Sequence, residues 1–234
     1  MKHKWSMDEG VLSAPDFPVP RGLVWGFTAR DAGDISDPEA RAALVGRYGA
    51  PGLRILKQVH GTRIVRSDDH EDKPEADGWL GVQGEKRLLA VKSADCLPVL
   101  FWSRDGRTFG SAHAGWRGAV AGIARAFVEK CGADPRSLTA VLGPAIGPCC
   151  YEVGTDVADR AGRDDRWLRE RGNGHFLFDL PAYVSADLME AGVPGENIVG
   201  CGMCTMCGGP FYSHRADGTE KRQIGFVGFP EGAP

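Results

Sequence analysis

The sequence has no long apolar run, no block of like charge and only six histidines among its 234 residues. Met1 to Pro20 carries Lys2, Lys4, Asp8, Glu9 and three prolines. Nothing there is long or apolar enough for a signal peptide or a membrane span, so a cytoplasmic protein with no membrane partner is expected. A net charge of -3 spread over both signs leaves no basic footprint for nucleic acid, and small molecules are the expected partners. Internal repeats, low-complexity tracts and interdomain linkers are also lacking. The chain therefore reads as an N-terminal extension over residues 1–21 and a single folded domain over residues 22–230. Neither a Walker nor a Rossmann fingerprint is present.

What the sequence has in quantity is glycine, 33 residues or about twice the usual share of roughly 7%. Such usage implies many tight turns and close backbone approaches. The seven cysteines are an odd number, Cys149 and Cys150 are adjacent, and a chain of this size needs no disulfide staples. Reduced thiols are expected.

Ser36 to Gly49 reads as a helix, with a capping residue, Pro38 in the first turn and Gly49 as a stop. Short β-rich runs follow at Leu53–Gln58, Arg63–Arg66, Leu88–Lys92, Pro98–Trp102 and Thr108–His113. From Ala119 the period changes: Val120, Ile123, Phe127 and Cys131 line one helical face that Gly132 and Pro135 end. Leu138–Leu142 is a further strand, and Gly143 to Tyr151 is a turn-rich connector. A helix is predicted from Val153, a charged surface stretch over Arg160–Arg171, a strand at His175–Phe178 and a helix capped by Asp179. Phe211–Ser213 and Ile224–Phe229 read as closing strands. The fold class predicted is α+β (α/β), a single domain of mixed sheet flanked by helices.

The chemistry is sought at strand ends. His60 in Lys57-Gln-Val-His-Gly61 and His113 in Ser111-Ala-His-Ala-Gly115 lie beside glycines, and Cys96 falls between two β runs. Two imidazoles and one thiolate suit zinc, and three protein ligands leave a fourth position open. The same atoms also fit a Cys96 nucleophile with His113 as its base. Spacing alone does not separate these readings from buried, structural roles. His113-Ala-Gly-Trp-Arg-Gly118 leads into a helix, so its N–H groups and Arg117 are candidates for holding an anion. Trp116, Tyr151, Phe211 and Tyr212 are stacking faces or core. Asp95 is the carboxylate nearest Cys96, able to move a proton or to cap a turn. The Cys201-x-x-Cys204-x-x-Cys207 run has the spacing of part of an iron–sulfur site. It lacks a fourth ligand, and only Cys149 and Cys150 remain to pair with it, so buried reduced thiols are the better reading.

Taken together, Lys57-Gln-Val-His-Gly61, Ala76-Asp-Gly78, Ser93-Ala-Asp-Cys-Leu-Pro-Val99, Ala112-His-Ala-Gly-Trp-Arg-Gly118, Leu142 to Gly154, Cys204-Thr205 and Phe211-Tyr-Ser-His-Arg215 resemble, in order, the motifs of the YfiH-like proteins. These are also described as laccase-domain, polyphenol oxidase or peptidoglycan editing factor proteins, and are related to a human purine-nucleoside enzyme. The resemblance spans roughly residues 22–229. It implies a metal, zinc with copper as the alternative, on His60, Cys96 and His113. It also implies phosphorolysis of adenosine, inosine, guanosine and 5'-methylthioadenosine, with deamination of adenosine to inosine. The partners expected are a purine nucleoside and phosphate, with the chain acting as a monomer. Near the end the chain departs from the family pattern: Gly218-Thr-Glu-Lys-Arg-Gln223 stands in place of Thr-Gly-Arg, and Ala216 takes a usually basic position.

On this reading Cys96, His113 and Asp95 are the catalytic candidates. Arg117, Arg215, Gly115 and Gly118 are the candidates for binding substrate and phosphate. The H-x-E with P-C-x-x-C signature of the usual zinc deaminases is absent. Six histidines are too few for a trinuclear copper centre, which argues against laccase chemistry as the main role. A zinc- or Cys-dependent hydrolase of peptidoglycan precursors is the runner-up, and a non-catalytic binding or redox-sensing protein is the third class.

Overall fold

Leu88–Ser93 and Leu97–Ser103 are buried at nearly every position, which only a central strand covered on both faces allows. The computed structural model describes residues 3–231 and builds two sheets around these runs. In chain order the elements are β1 (Ser6–Asp8), β2 (Val11–Ser13), β3 (Val24–Thr28), α1 (Pro38–Arg47), β4 (Leu53–Arg54), β5 (Ile64–Arg66), β6 (Gly78–Gly81) and β7 (Leu88–Ser93). Then come β8 (Leu97–Ser103), β9 (Phe109–Ala114), α2 (Trp116–Val120), α3 (Ile123–Cys131), β10 (Leu138–Leu142), β11 (Glu152–Val153) and α4 (Thr155–Arg160). Last are β12 (Leu168–Gly172), β13 (His175–Phe178), α5 (Leu180–Glu190), β14 (Ile198–Gly200), α6 (His214–Asp217) and β15 (Gln223–Gly228).

The first sheet has the order β1-β2-β3-β15-β7-β4 and the second β14-β10-β8-β9-β6-β5, each mixing parallel and antiparallel pairs. A small third sheet runs β11-β13-β12. Strand alternation sorts the side chains into layers. Leu89 and Val91 of the first sheet meet Leu100, Trp102 and Val141 of the second in a core between the sheets. Leu88, Ala90 and Phe226 turn the other way, onto Leu44 of α1. Leu97, Val99 and Phe101 face Ile123 and Phe127 of α3 and Leu188 of α5. The molecule is thus helix, sheet, sheet, helix in four layers. The predicted α+β class with mixed sheets flanked by helices holds.

Several local expectations are corrected. The helix predicted from Ala119 begins at Trp116 and breaks into α2 and α3, because Gly122 takes a left-handed φ of 85° and caps the second piece. Leu53–Gln58 is strand only at its first two residues. The charged stretch before Arg171 contains β12, whose outward positions carry the charge while Leu168 is buried. Phe211–Ser213 is not a strand; Ser213 caps α6 by accepting from the Ala216 N–H. The first 21 residues supply β1 and β2, two strands of the first sheet. Among the described residues no helix is long and apolar enough to cross a membrane.

The Phe101 and Phe127 rings, both fully buried, stack at 4.0 Å with 11° between planes and join β8 to α3. Phe101→Ala is expected to cost about 3–5 kcal/mol of stability, read as a lower denaturant midpoint. A loss below about 1 kcal/mol would mean that the helix layer contributes little to the core.

Candidate metal and active site

The chain crosses from the first sheet to the second between β7 and β8, and Cys96 is the last residue of that crossing. Pro98 pairs with His113 in the register of β8 and β9, so the thiol and the imidazole meet at the rim of the second sheet. His113 is 3% exposed and alternates with Ala112 and Ala114, which turn into the helix-side core. His60 arrives on the loop after β4. There the Gln58 side chain replaces a strand partner, donating to the Lys92 carbonyl and accepting from the Lys92 N–H, both at 2.8 Å.

One buried carboxylate organises the rest. Asp77, just before β6, accepts the N–H groups of Val59, His60 and Gly61 at 3.2, 3.0 and 2.7 Å. It also accepts from His113 Nδ1 at 2.9 Å. Three consecutive N–H groups on one anion form a nest, and they hold His60 at a φ of 61°. That conformation otherwise costs a non-glycine residue on the order of 1–3 kcal/mol. Because Nδ1 of His113 donates to Asp77, Nε2 is the nitrogen turned to the cluster, where it shares a proton with the Cys96 thiol and is the atom that would give it up to bind an ion.

Burial works to raise the Asp77 pKa, but the His113 imidazole and the Gly61 and Val59 N–H groups outweigh it and hold the carboxyl below its usual range. Burial likewise pushes the Cys96 thiol up, and the positive His113, with His60, brings it down to about 6. For His113 burial acts downward, while the Cys96 thiolate and Asp77 raise it to about 9. Thiolate and imidazolium therefore stabilise one another at neutral pH.

The donor atoms of His60, Cys96 and His113 all lie within 4.8 Å of one another, with Cys96 Sγ 4.0 Å from His60 Nε2. That spacing is close enough for one ion to be held by all three. The donor set, the oriented His113 and the exposed His60 fit a zinc-type ion, which three side chains would leave with a fourth position unfilled. Gly115 forms the floor: a Cβ there would stand 2.8 Å from His60 Cδ2 and 3.0 Å from Cys96 Sγ.

The other sequence candidates lie around this group. Gly118 packs on the Gly61 carbonyl, which a Cβ would approach to 2.9 Å. Arg117 is exposed, with its guanidinium 4.5 Å from the Trp116 ring centroid. Asp95, at a φ of 91°, uses both carboxylate oxygens: Oδ1 accepts from Thr205 Oγ1 at 2.6 Å and Oδ2 from the Arg215 N–H at 2.7 Å. The Arg215 guanidinium stands 5.4 Å over the buried Tyr151 ring and donates to the Glu152 carbonyl at 3.0 Å. Burial raises the Tyr151 pKa, and the charges of Cys96, Arg215, Asp95 and Arg117 all act on it, so these groups ring one region. Sequence reasoning gave Asp77 no role. Its only signal was the Ala76-Asp-Gly78 motif. Cys207 and Cys149 are exposed, not buried thiols, and lie with Cys150 and Cys204 in a second cluster.

Comparison with known proteins adds the following. The family described as multi-copper polyphenol oxidoreductase laccase matches residues 21–230. A purine nucleoside phosphorylase of Rickettsia conorii is 38% identical over 66% of this chain and 67% of its own length. The Escherichia coli protein named purine nucleoside phosphorylase YfiH is 34% identical over 92% of this chain and 98% of its own. The crystal structure of the hypothetical protein YfiH of Bacillus licheniformis superposes with a TM-score of 0.87 at 26% identity, covering 96% of this chain and 98% of that one.

Asp77→Asn is expected to weaken zinc binding roughly 10–100-fold in a chelator competition, because the amide cannot accept from the nest and orient His113 together. Unchanged affinity would remove Asp77 from the site. Gly115→Ala is expected to leave the fold intact by circular dichroism and to lose this metal equivalent, since the new methyl group wedges His60 from Cys96.

Proposed function

The chain belongs to the multi-copper polyphenol oxidoreductase laccase family, and from that premise we propose that it is a zinc-dependent purine nucleoside phosphorylase, with adenosine deamination as a second activity. Adenosine, inosine, guanosine and 5'-methylthioadenosine are the proposed substrates with inorganic phosphate. The observation that carries the reading is the His60, Cys96 and His113 group oriented by the buried Asp77. The Escherichia coli relative that bears the phosphorylase name matches over 92% of this chain. Bound there, the ion supplies a Lewis acid with one position not filled by protein.

In phosphorolysis a phosphate oxygen bonds to C1' as the bond from C1' to the purine nitrogen breaks. The bonding pair leaves with the base, which takes up a proton. The protein must hold the phosphate and stabilise positive charge at C1'. We assign phosphate binding to Arg117 and Arg215, and base stacking to Tyr151 and Trp116. Gly115 and Gly118 let the 115–118 turn lie against the ligands. Asp95 has both oxygens engaged, so its proposed part is to hold Arg215 through its N–H and to keep Cys96 in line.

The family description speaks of several coppers. Among the described residues only two groups of donors gather, and only one of them contains histidine, so a histidine-rich multicopper centre has no ligands to draw on. A His2Cys set does accept copper, and copper-loaded protein would oxidise phenols only incidentally. A second reading has a specific basis: Cys96, His113 and Asp77 are also ordered as nucleophile, base and orienting carboxylate, the arrangement of a thiol hydrolase.

The test incubates zinc-loaded protein with adenosine in phosphate and in phosphate-free buffer. Adenine and ribose 1-phosphate are expected only with phosphate, and inosine in both. Chelation should abolish both reactions, whereas a Cys96 nucleophile would survive it. Cys96→Ala is expected to lose turnover and this metal equivalent together, and an active Cys96→Ala protein would end the proposal. Arg117→Ala should raise the KM for phosphate roughly ten- to hundredfold, the effect of losing one charge-assisted contact of about 1.5–3 kcal/mol.

A further inference from the structure

Four of the seven cysteines form a cluster that the proposed reaction does not use. Two come from the connector after β10, Cys149 and Cys150, and two from the loop after β14, Cys204 and Cys207. Their sulfurs all lie within 4.8 Å of one another. Cys207 Sγ stands 3.3 Å from Cys149 Sγ and 3.4 Å from Cys150 Sγ. A disulfide needs about 2.05 Å and takes one partner, whereas Cys207 faces two equally. Four sulfurs on one tetrahedral ion with bonds of about 2.3 Å sit roughly 3.8 Å apart, inside the observed spread.

The backbone around the cluster is built to the same end. The Gly147 N–H donates to Cys204 Sγ at 3.2 Å, a bond that stabilises a thiolate more than a thiol. Gly147 also lies under the sulfurs, where a Cβ would stand 3.3 Å from Cys204 Cβ and 3.4 Å from Cys149 Sγ. A parallel bridge between Ala145 and Cys204, closed by the Thr205 N–H to the Ala145 carbonyl at 3.0 Å, sets the two loops in register. Cys149 and Cys207 are exposed, which gives an ion its way in.

We propose that Cys149, Cys150, Cys204 and Cys207 bind one zinc-type divalent ion as a closed, structural centre. Four thiolates fill the tetrahedron, so the ion offers no position to substrate. It fastens the Cys149 loop to the Cys204 loop. Tyr151 follows directly on the first, and Thr205, whose hydroxyl holds Asp95 beside Cys96, on the second. The second ion therefore keeps one wall of the first site in place.

The test uses the full chain, reduced and metal-free, titrated with Zn²⁺ and separately with Co²⁺. Two equivalents are expected for the unaltered chain and one for Cys96→Ala. In Cys96→Ala the remaining Co²⁺ should show tetrahedral d–d bands with intense thiolate-to-cobalt charge transfer and no imidazole ligation by X-ray absorption. Cys207→Ser should lose that equivalent and keep the one at His60, Cys96 and His113. The proposal is overturned if reduced Cys96→Ala takes up no ion against a competing chelator, or if its cobalt spectrum lacks thiolate charge transfer. Mass spectrometry finding Cys207 joined to Cys149 or Cys150 in freshly isolated, ion-free protein would overturn it equally. None of these readouts depends on phosphorylase activity.

Discussion

The Asp77 carboxylate is the constraint on which the candidate site rests. It is fully buried, and a buried anion is tolerated only when its lone pairs are filled. Here they are filled by three successive N–H groups of one loop and by the imidazole of a strand. Each partner is a part of the site: the loop presents His60 and the strand presents His113. The left-handed backbone at His60 is the cost of turning that side chain toward Cys96, and the nest offsets it. Losing any one of these bonds without replacement would leave the buried charge under-satisfied, so loop and strand are held as one unit.

The four-layer fold explains why these pieces meet where they do. The Asp77 backbone carbonyl takes the His113 N–H at 2.7 Å, so β6 and β9 bring carboxylate and imidazole together through both main chain and side chain. The crossing between sheets ends at Cys96, and there the backbone at Asp95 is again left-handed. It is held by a hydroxyl and an N–H from the 205–215 segment, as His60 is held by Asp77. Both strained residues are thus fixed by carboxylate bonding, one within the second sheet's rim and one across to the C-terminal loops. The site is assembled from rigid elements, and its two looser approaches are tied down by buried or half-buried anions.

Much of this was legible in the residues, for reasons that differ by element. The helix at Pro38–Arg47 and the helix capped by Asp179 carried their own signals, a capping carboxylate and a proline in the first turn, and both stand where expected. The central strands were plain because burial on both faces leaves long apolar runs. The break between α2 and α3 was missed because apolar periodicity continues across Gly122, and only its left-handed backbone interrupts the helix. Residues after Arg54 looked like strand, but Gln58 makes the ladder bonds with its side chain, which no periodicity records. His60, Cys96 and His113 stood out by their places at strand ends, but their spacing is uninformative, and it was the family resemblance that singled out a metal role for them. Asp77 was passed over because its partners are mostly backbone N–H groups. The four-thiol cluster was split in the sequence into an adjacent pair and a C-x-x-C, and only the pairing of Ala145 with Cys204 unites them.

The two clusters differ in what a divalent ion would become in each. One thiolate and two neutral imidazoles leave the first centre with net positive charge and a vacant position, the condition for polarising a ligand. Four thiolates make the second centre doubly negative and coordinatively full, which removes Lewis acidity and leaves only the mechanical consequence of joining two loops. Their neighbours accord with this division. The first is flanked by Arg117, Arg215 and Tyr151, groups that suit an anionic and aromatic substrate. The second has a glycine floor and a backbone N–H on sulfur, and its two loops run on to Tyr151 and Thr205. The connector from Gly147 to Tyr151 joins the two regions: it carries two of the four thiols and, directly after them, the buried ring that the Arg215 guanidinium covers. A shift of the thiol loop would therefore reach the first site through the position of Tyr151.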